Sequence, residues 1–184
     1  NSRHQMQVHA KVGANSDGHI RAIEVDALSN QGAYGEHGTT TIGLVGHKSI
    51  PLYNQAEVFR FKWHTVYTNM MPGGAFRGYG ATQGIFAVES AVNELAIKLG
   101  MDSSLIREKN MLHFGEILKA YYNEPLTSCA LDRCIVRGKE MIGWDEKYPM
   151  KKISETKVRG VGMAIAMQGS GISNVDVSSA EIKL

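Results

Sequence analysis

Residues 72–83 read Pro-Gly-Gly-Ala-Phe-Arg-Gly-Tyr-Gly-Ala-Thr-Gln, and this segment decides how the whole chain is interpreted. Its glycines permit close backbone approach and unusual φ angles. Free backbone N–H groups at such a loop, or at the start of the next helix, can bind an anion. Arg77 adds a permanently charged fork for phosphate or oxygen ligands, and Phe76 and Tyr79 offer flat surfaces to a heterocycle. The plainer alternative stays open: the glycines shape a tight strand-to-helix connection and Arg77 makes a salt bridge.

Known nucleotide-binding motifs do not match this segment. Residues 78–84 read GYGATQG, which is GxGxxxG and not the GxGxxG of dinucleotide-binding folds. A ribose-binding acid in a βαβ unit does not follow, and the chain has no Gly-Lys-Ser/Thr triplet for a phosphate-binding P-loop. A Rossmann or P-loop nucleotide site is therefore disfavoured.

The segment upstream of the loop is rich in predicted strands. Residues 5–14 alternate apolar and polar side chains with period two, which predicts a strand with one buried face. A turn at residues 15–18, with Gly18 suited to positive φ, leads into a second strand whose Ile23, Val25 and Ala27 share one face, so a β-hairpin is expected. Residues 30–54 predict irregular backbone with one short helix, and residues 57–68 predict a third strand.

The segment downstream is mainly helical by its pattern. Residues 82–99 carry an apolar stripe at helical spacing and end before Gly100, which suits a helix C-terminus. Shorter helices are predicted at residues 103–111, with Asp102 or Ser103 as N-cap, and at residues 130–142. Residues 158–167 and 175–184 predict a closing pair of strands. The pattern lacks a regular βαβ repeat and predicts an α+β fold, a mixed sheet with helices packed on it.

Composition excludes several classes of protein. The net charge of +2 gives no basic field for nucleic acid, and an apolar run long enough to span a membrane is missing. The opening is polar, which argues against a signal peptide, and Cys129 and Cys134 lack CxxC or zinc-knuckle spacing, so a cytoplasmic location is predicted. Both ends look cut, and we expect a fragment of a longer chain.

Residues 68–83, TNMMPGGAFRGYGATQ, resemble the AFRGxGxPQ signature of the xanthine dehydrogenase and aldehyde oxidase family. Other stretches resemble the family in its order, and the likeness covers nearly the whole chain: residues 2–4, 11–13, 17–18, 24–26, 89–90, 100–102, 107–110, 126–129, 143–144 and 159–162. The resemblance implies a fragment of the molybdenum-cofactor-binding subunit. Residues 1–184 then divide into a strand-rich part (1–68), a cofactor loop (69–83), a helical part (84–150) and closing strands (157–184).

The resemblance also implies the roles of individual residues. The predicted cofactor-binding set is Gly74, Ala75, Phe76, Arg77 and Gly78. Within it, the backbone of Arg77 would meet the molybdenum centre. Tyr79 matches an aromatic residue that stacks on the substrate ring, and Ile172 and Ser173 approach a second wall of the substrate pocket. The implied cofactor is molybdenum–molybdopterin, with the cytosine dinucleotide as one of its forms. Iron–sulfur and FAD-binding subunits or domains, in an oligomer, are the implied partners.

Departures from the family pattern bear on the substrate. Thr82 stands where the family usually has Pro, and residues 41–47 hold no Arg where the purine enzymes often have one. Leu44 lies nearest to that position, and His47 and Lys48 are substitute candidates. No Glu matches the family's catalytic base, and we interpret Glu36, Glu89 and Glu94 as helix-face or loop carboxylates, so no catalytic residue is predicted in this chain.

The implied function is hydroxylation of a purine (xanthine or hypoxanthine) or a related heterocycle, with water as the oxygen source. Oxidation of an aldehyde or another aromatic substrate is the first alternative. Two alternatives of other kinds remain: a stand-alone nucleotide- or anion-binding module, and a structural fragment without a ligand.

Overall fold

A computed structural model describes residues 2–121, 123–168 and 179–183 and contains a three-stranded sheet. Strands β1 (Gln5–Ala14) and β2 (Ile20–Gly32) form an antiparallel hairpin, and β3 (Val58–Tyr67) pairs with β2 in parallel. Gly18, in the hairpin turn, has φ of 82°. All three predicted strands and the hairpin are therefore confirmed, because period-two alternation matches a sheet with one covered face.

The parallel pairing of β2 with β3 requires a crossover, and residues 33–57 supply it. This segment contains helix α1 (Gly38–His47) and a 3₁₀ turn (Ile50–Tyr53), in the region predicted to be irregular with one short helix. Helix α1 packs on β2 and β3. The core lies between the sheet and the helices and includes Ile23, Val25, Ala27, Ile42 and Val45, all at most 1% exposed.

In the described part of the chain, four helices follow the 72–80 loop: α2 (Ala81–Leu99), α3 (Ser103–Asn110), α4 (Leu131–Ile142) and α5 (Trp144–Lys147). Helix α2 packs on β1 and α1. Gly100 and Gly143 end α2 and α4 in left-handed conformation, as Gly can without strain, and the Asp102 side chain accepts from the Ser104 N–H as N-cap of α3. The three predicted helices are confirmed, whereas α5 was not predicted. No helix among the described residues is both long and apolar enough to cross a membrane.

The predicted closing pair of strands is wrong where the structure describes it. Residues 158–167 form a strand only at β5 (Val158–Gly160), which pairs with β4 (Met150–Lys152), and residues 179–183 form none. The apolar alternation beyond Gly160 has another cause: Ile165 is buried, and Met163 and Met167 pack on the core. The N–H of Ile165 donates to Glu89 instead of to a strand. The predicted fold class, a mixed sheet with helices packed on it, is nevertheless confirmed.

Candidate functional site

The glycine-rich loop joins β3 to α2 and is held at its base by backbone hydrogen bonds. Thr68 N–H donates to Gly32 O at 3.2 Å, and Ala33 N–H donates to Met70 O at 3.1 Å. On the other side, Gly74 N–H donates to Ser2 O at 3.0 Å. These bonds attach the loop to the end of β2 and to the N-terminal segment, so the loop is held on both sides of its tip.

The C-terminal half of the loop has a backbone that ordinary residues rarely adopt. Gly78, Tyr79 and Gly80 have φ of 85°, 38° and 92° in succession. A Cβ on Gly80 would lie 1.9 Å from the carbonyl oxygen of Thr41 in α1, so a larger residue has no room there. The predicted unusual φ angles and close backbone approach are confirmed at these glycines.

The tip of the loop presents unpaired hydrogen-bond donors to solvent. Ala75, Phe76 and Arg77 are exposed, and Gly78 is half-buried. Within residues 2–121, 123–168 and 179–183, the backbone N–H groups of residues 75–78 donate no hydrogen bond, and the Arg77 side chain has no ion pair or hydrogen bond. The alternative in which Arg77 makes a salt bridge is therefore not what the described structure shows. Consecutive free N–H groups beside a guanidinium suit an anionic or oxygen-rich ligand.

Arg3 contacts both Phe76 and the start of α2. The sequence pattern did not indicate these contacts. The Arg3 guanidinium carbon lies 4.8 Å from the centre of the Phe76 ring, and the Arg3 Nη1 donates to Thr82 Oγ1 at 2.6 Å. Thr82, which departs from the family's Pro, thus accepts a hydrogen bond from the N-terminal segment. Arg3 and Arg77 together place two positive charges at the loop.

A buried histidine supports the same region. His4 is 3% exposed, its Nε2 lies 3.2 Å from Glu36 O, and its ring lies against Gly73. Its Nδ1 has no hydrogen-bond partner in the described part of the chain. Gln83 Nε2 donates to His4 O at 3.3 Å, which joins this segment to α2.

Tyr79 is held by His37, another residue that sequence reasoning missed. The Tyr79 hydroxyl lies 2.5 Å from His37 Nδ1, and the two rings meet edge to face with centroids 5.6 Å apart and planes at 76°. His37 immediately precedes α1 and has φ of 54°, without a side-chain cap bond to the helix. A histidine 42 positions away offered no local pattern that could have linked it to Tyr79.

The remaining sequence candidates fall in different places. Leu44 lies beside the loop, since a Cβ on Gly80 would be 3.3 Å from the Leu44 Cβ. The His47 ring packs against Tyr121, with centroids 4.2 Å apart, and burial followed by the charge of Lys48 lowers the pKa of His47. Ile172 and Ser173 lie outside the described residues.

Glu36 and Glu94 are exposed, as interpreted, but the interpretation of Glu89 as a helix-face carboxylate needs correction. Glu89 is 3% exposed and faces the protein interior from α2. It accepts hydrogen bonds from the Tyr53 hydroxyl, from Arg107 Nε at 2.9 Å and from Ile165 N–H at 2.8 Å. Burial, followed by the Glu89 charge, raises the pKa of Tyr53 well above its ordinary range. Glu89 is thus an internal structural group that joins α2 to α3 and to the segment around residue 165.

The chain is similar in sequence to known proteins. The sequence model of a family described as molybdopterin cofactor-binding domain matches residues 1–111. The chain is 38% identical over its whole length to the probable hypoxanthine oxidase XdhD of Escherichia coli (strain K12), of which it covers 20%. It is 33% identical to the putative xanthine dehydrogenase molybdenum-binding subunit XdhA of the same organism, again over its whole length and covering 24% of that protein.

A solved structure shows the same architecture. The aldehyde oxidoreductase from Desulfovibrio gigas superposes with a TM-score of 0.69 at 33% identity, over 79% of this chain and 16% of that one. The chain thus spans about a fifth to a quarter of the length of the curated relatives cited above.

Proposed function

Because this chain belongs to the molybdopterin cofactor-binding domain family, we propose that it is part of a molybdenum hydroxylase. The proposed reaction oxidises a purine (xanthine or hypoxanthine) or a related heterocycle with water as the source of oxygen. Two electrons leave the substrate and pass to iron–sulfur and FAD-binding partners in a cytoplasmic oligomer. Similarity to a probable hypoxanthine oxidase and to a putative xanthine dehydrogenase subunit supports this substrate class.

The observation that carries the proposal is that the N–H groups of residues 75–78 and the neighbouring Arg77 side chain have no hydrogen-bond partner among the described residues. These donors fit the phosphate and oxygen atoms of a molybdenum–molybdopterin cofactor, in its simple or cytosine dinucleotide form. In the proposed arrangement Gly74, Ala75, Phe76, Arg77 and Gly78 would hold the cofactor, and the backbone of Arg77 would help to bind the molybdenum centre. When bound, the cofactor supplies the oxidation chemistry that protein side chains lack.

The chain's own contribution is binding and orientation. Tyr79 is half-buried beside the cofactor residues, and its ring would form one wall for a planar substrate. Offset aromatic stacking contributes about 0.5–1.5 kcal/mol beyond the burial of area. Ile172 and Ser173 are proposed for the second wall. The proposal assigns no acid or base of the reaction to this chain.

A second candidate is oxidation of an aldehyde or another aromatic substrate. Leu44, which lies against Gly80, is the residue nearest to the position where the family's purine enzymes often have an Arg. An apolar side chain there offers no hydrogen bond to a purine and fits a less polar substrate. The 33% identity to an aldehyde oxidoreductase of Megalodesulfovibrio gigas points the same way.

The first test is the molybdenum content of the full-length subunit, purified with its partners. We expect near-stoichiometric metal, with oxidation of hypoxanthine or xanthine faster than of aldehydes. The Arg77→Ala variant should lose molybdenum and activity together, whereas Arg133→Ala, which removes an exposed arginine from α4, should lose neither. A metal-free protein, from a host that loads a control enzyme, would overturn the proposal. Wild-type metal and activity in Arg77→Ala would exclude the Arg77 guanidinium from the proposed cofactor site.

A further inference from the structure

The Tyr79 side chain is oriented by an element distant in sequence. The hydroxyl bonds to His37 Nδ1 at 2.5 Å, and the two perpendicular rings are in edge-to-face contact. A phenol that stacked freely on a ligand could rotate about χ1 and χ2, but this bond together with the ring contact restricts both rotations. Tyr79 is therefore preorganised before any ligand arrives.

Both members of the pair hold a costly backbone conformation. His37 has φ of 54° and Tyr79 has φ of 38°, in the left-handed region that residues other than Gly, Asn, Asp and His rarely adopt. Each such residue costs about 1–3 kcal/mol and persists where surrounding structure imposes it. Here the contact of Gly80 with the Thr41 carbonyl holds the loop on α1, which brings Tyr79 to the N-terminal end of that helix.

We propose that His37 is a positioning residue for the substrate, acting through Tyr79. The proposal rests on the proposed function, in which Tyr79 forms one wall for a planar ring. His37 fixes the plane of that wall. A wall of fixed plane favours a flat, rigid substrate ring that can stack on it.

The hydrogen bond between the two side chains requires the Tyr79 hydroxyl, which phenylalanine lacks. With the imidazole proton on Nε2, the Tyr79 hydroxyl donates to Nδ1 and its oxygen remains an acceptor. With the proton on Nδ1, the imidazole donates and the hydroxyl hydrogen remains available. Either tautomer fixes the ring. Among the described residues, Tyr79 is the one polar partner of the His37 side chain, and both side chains are at least partly exposed.

The test is a set of variants in the complete, molybdenum-loaded enzyme. His37→Gly removes the imidazole without strain, because glycine tolerates a φ of 54°. His37→Asn keeps a hydrogen-bonding atom near the place of Nδ1 and also tolerates the left-handed backbone. Tyr79→Phe removes the hydroxyl alone. His64→Gly, at an exposed histidine of β3, is the matched control.

We expect His37→Gly and Tyr79→Phe each to raise the KM for hypoxanthine by about 2–13-fold, the effect of one lost hydrogen bond of about 0.5–1.5 kcal/mol. The double variant should be no worse than either single one, and His37→Asn should recover most of the loss. The Kd of the hydroxylated product, measured by calorimetry without turnover, should follow the KM. Molybdenum content and Tm should stay at the wild-type values.

The outcomes separate this inference from the proposed function. Additive effects of the two single variants, or an unchanged KM in His37→Gly, would overturn the positioning role while leaving the hydroxylase proposal intact. A loss of molybdenum in His37→Gly would also overturn it, because His37 would then support the cofactor loop rather than the substrate wall. Absence of molybdenum and of activity in the wild-type enzyme would instead remove the proposed function itself.

Discussion

At the scale of single residues, two helical glycines have different structural roles. Gly84 in α2 faces α1, where an added Cβ would lie 2.0 Å from the carbonyl oxygen of Val45. Gly43 in α1 has nothing within 4 Å of the same added atom. Glycine at position 84 therefore allows the two helices to approach closely, and this approach places the 72–80 loop next to α1. The sequence indicated flexible glycines but could not tell which ones touch another backbone.

These glycines give a matched pair of substitutions. We expect Gly84→Ala to lower the free energy of unfolding by about 1–3 kcal/mol, since the methyl group overpacks a backbone contact. Gly43→Ala should raise it by about 0.5–1 kcal/mol, because alanine is the better helix residue where space is open. Urea titration of both variants beside the wild-type protein measures the difference. Equal effects of the same sign would contradict the close approach of α1 and α2.

At the scale of elements, local sequence patterns correctly predicted the features that depend on neighbouring residues, such as the N-cap of a helix. Asp102 or Ser103 was expected as N-cap of α3, and Asp102 is the cap, since its Oδ1 accepts from Ser104 N–H at 2.6 Å. Its other oxygen, Oδ2, accepts from Trp144 Nε1 at 2.9 Å, and the Trp144 ring stacks on Tyr148. This second role joins α5 to α3 across 42 positions of sequence. A helix of four residues is stabilised by tertiary contacts and not by a local sequence pattern. Neither α5 nor its attachment to α3 could therefore be inferred from the sequence.

The Asp102 contacts predict a specific dependence of stability on pH. Burial opposes the charged form, but hydrogen bonds from Trp144 and Ser104 outweigh it, so the pKa of Asp102 lies below its ordinary value of 3.8. A lowered folded-state pKa contributes stability that is complete above the unfolded value, about 3.9, and is lost as the pH falls through the folded value. Stability from this carboxylate should thus be constant near neutrality and disappear in strong acid.

Asp102→Asn should lower the free energy of unfolding at pH 7 by about 1–3 kcal/mol, because the amide cannot replace the charged acceptor for Trp144. The difference from the wild type should shrink below about pH 4, where the carboxyl group becomes protonated. Asp132→Asn, at an exposed aspartate in the first turn of α4, is the control and should show neither effect. A difference that persists unchanged at low pH would argue against the charged form of Asp102 as the acceptor.

At the scale of the whole molecule, the sequence predicted the elements and the loop, but not the contacts that assemble them. The strands and helices follow from periodicity, and the loop from its glycines and Arg77. The Arg3–Phe76, His37–Tyr79 and Glu89–Arg107 contacts each join residues that no local pattern relates. The prediction of the closing strands was wrong for the same reason. The apolar alternation around Ile165 reflects burial against the core, and the Ile165 N–H donates to the Glu89 carboxylate of α2 instead of to a neighbouring strand.

Among these long-range contacts, the Glu89–Arg107 ion pair shows most clearly how burial determines the contribution of a contact to the free energy of unfolding. Arg107 is 0% exposed, and it also donates to Ser103 O at 2.7 Å and to Asn93 Oδ1 at 2.9 Å. Arg137 and Glu140 form a similar pair within α4, 3.0 Å apart, but both are exposed to solvent. Charges in water gain little from pairing, whereas an unpaired charge in the interior is strongly destabilising.

We therefore expect Arg107→Met to lower the free energy of unfolding by about 3–5 kcal/mol, because it leaves the Glu89 carboxylate buried without its partner. Arg137→Met should change it by less than about 1 kcal/mol. Replacing both buried partners, as in Glu89→Gln with Arg107→Met, should recover part of the loss, since no uncompensated charge then remains inside. If the double variant were as unstable as the sum of the single ones, the two charges would not be coupled.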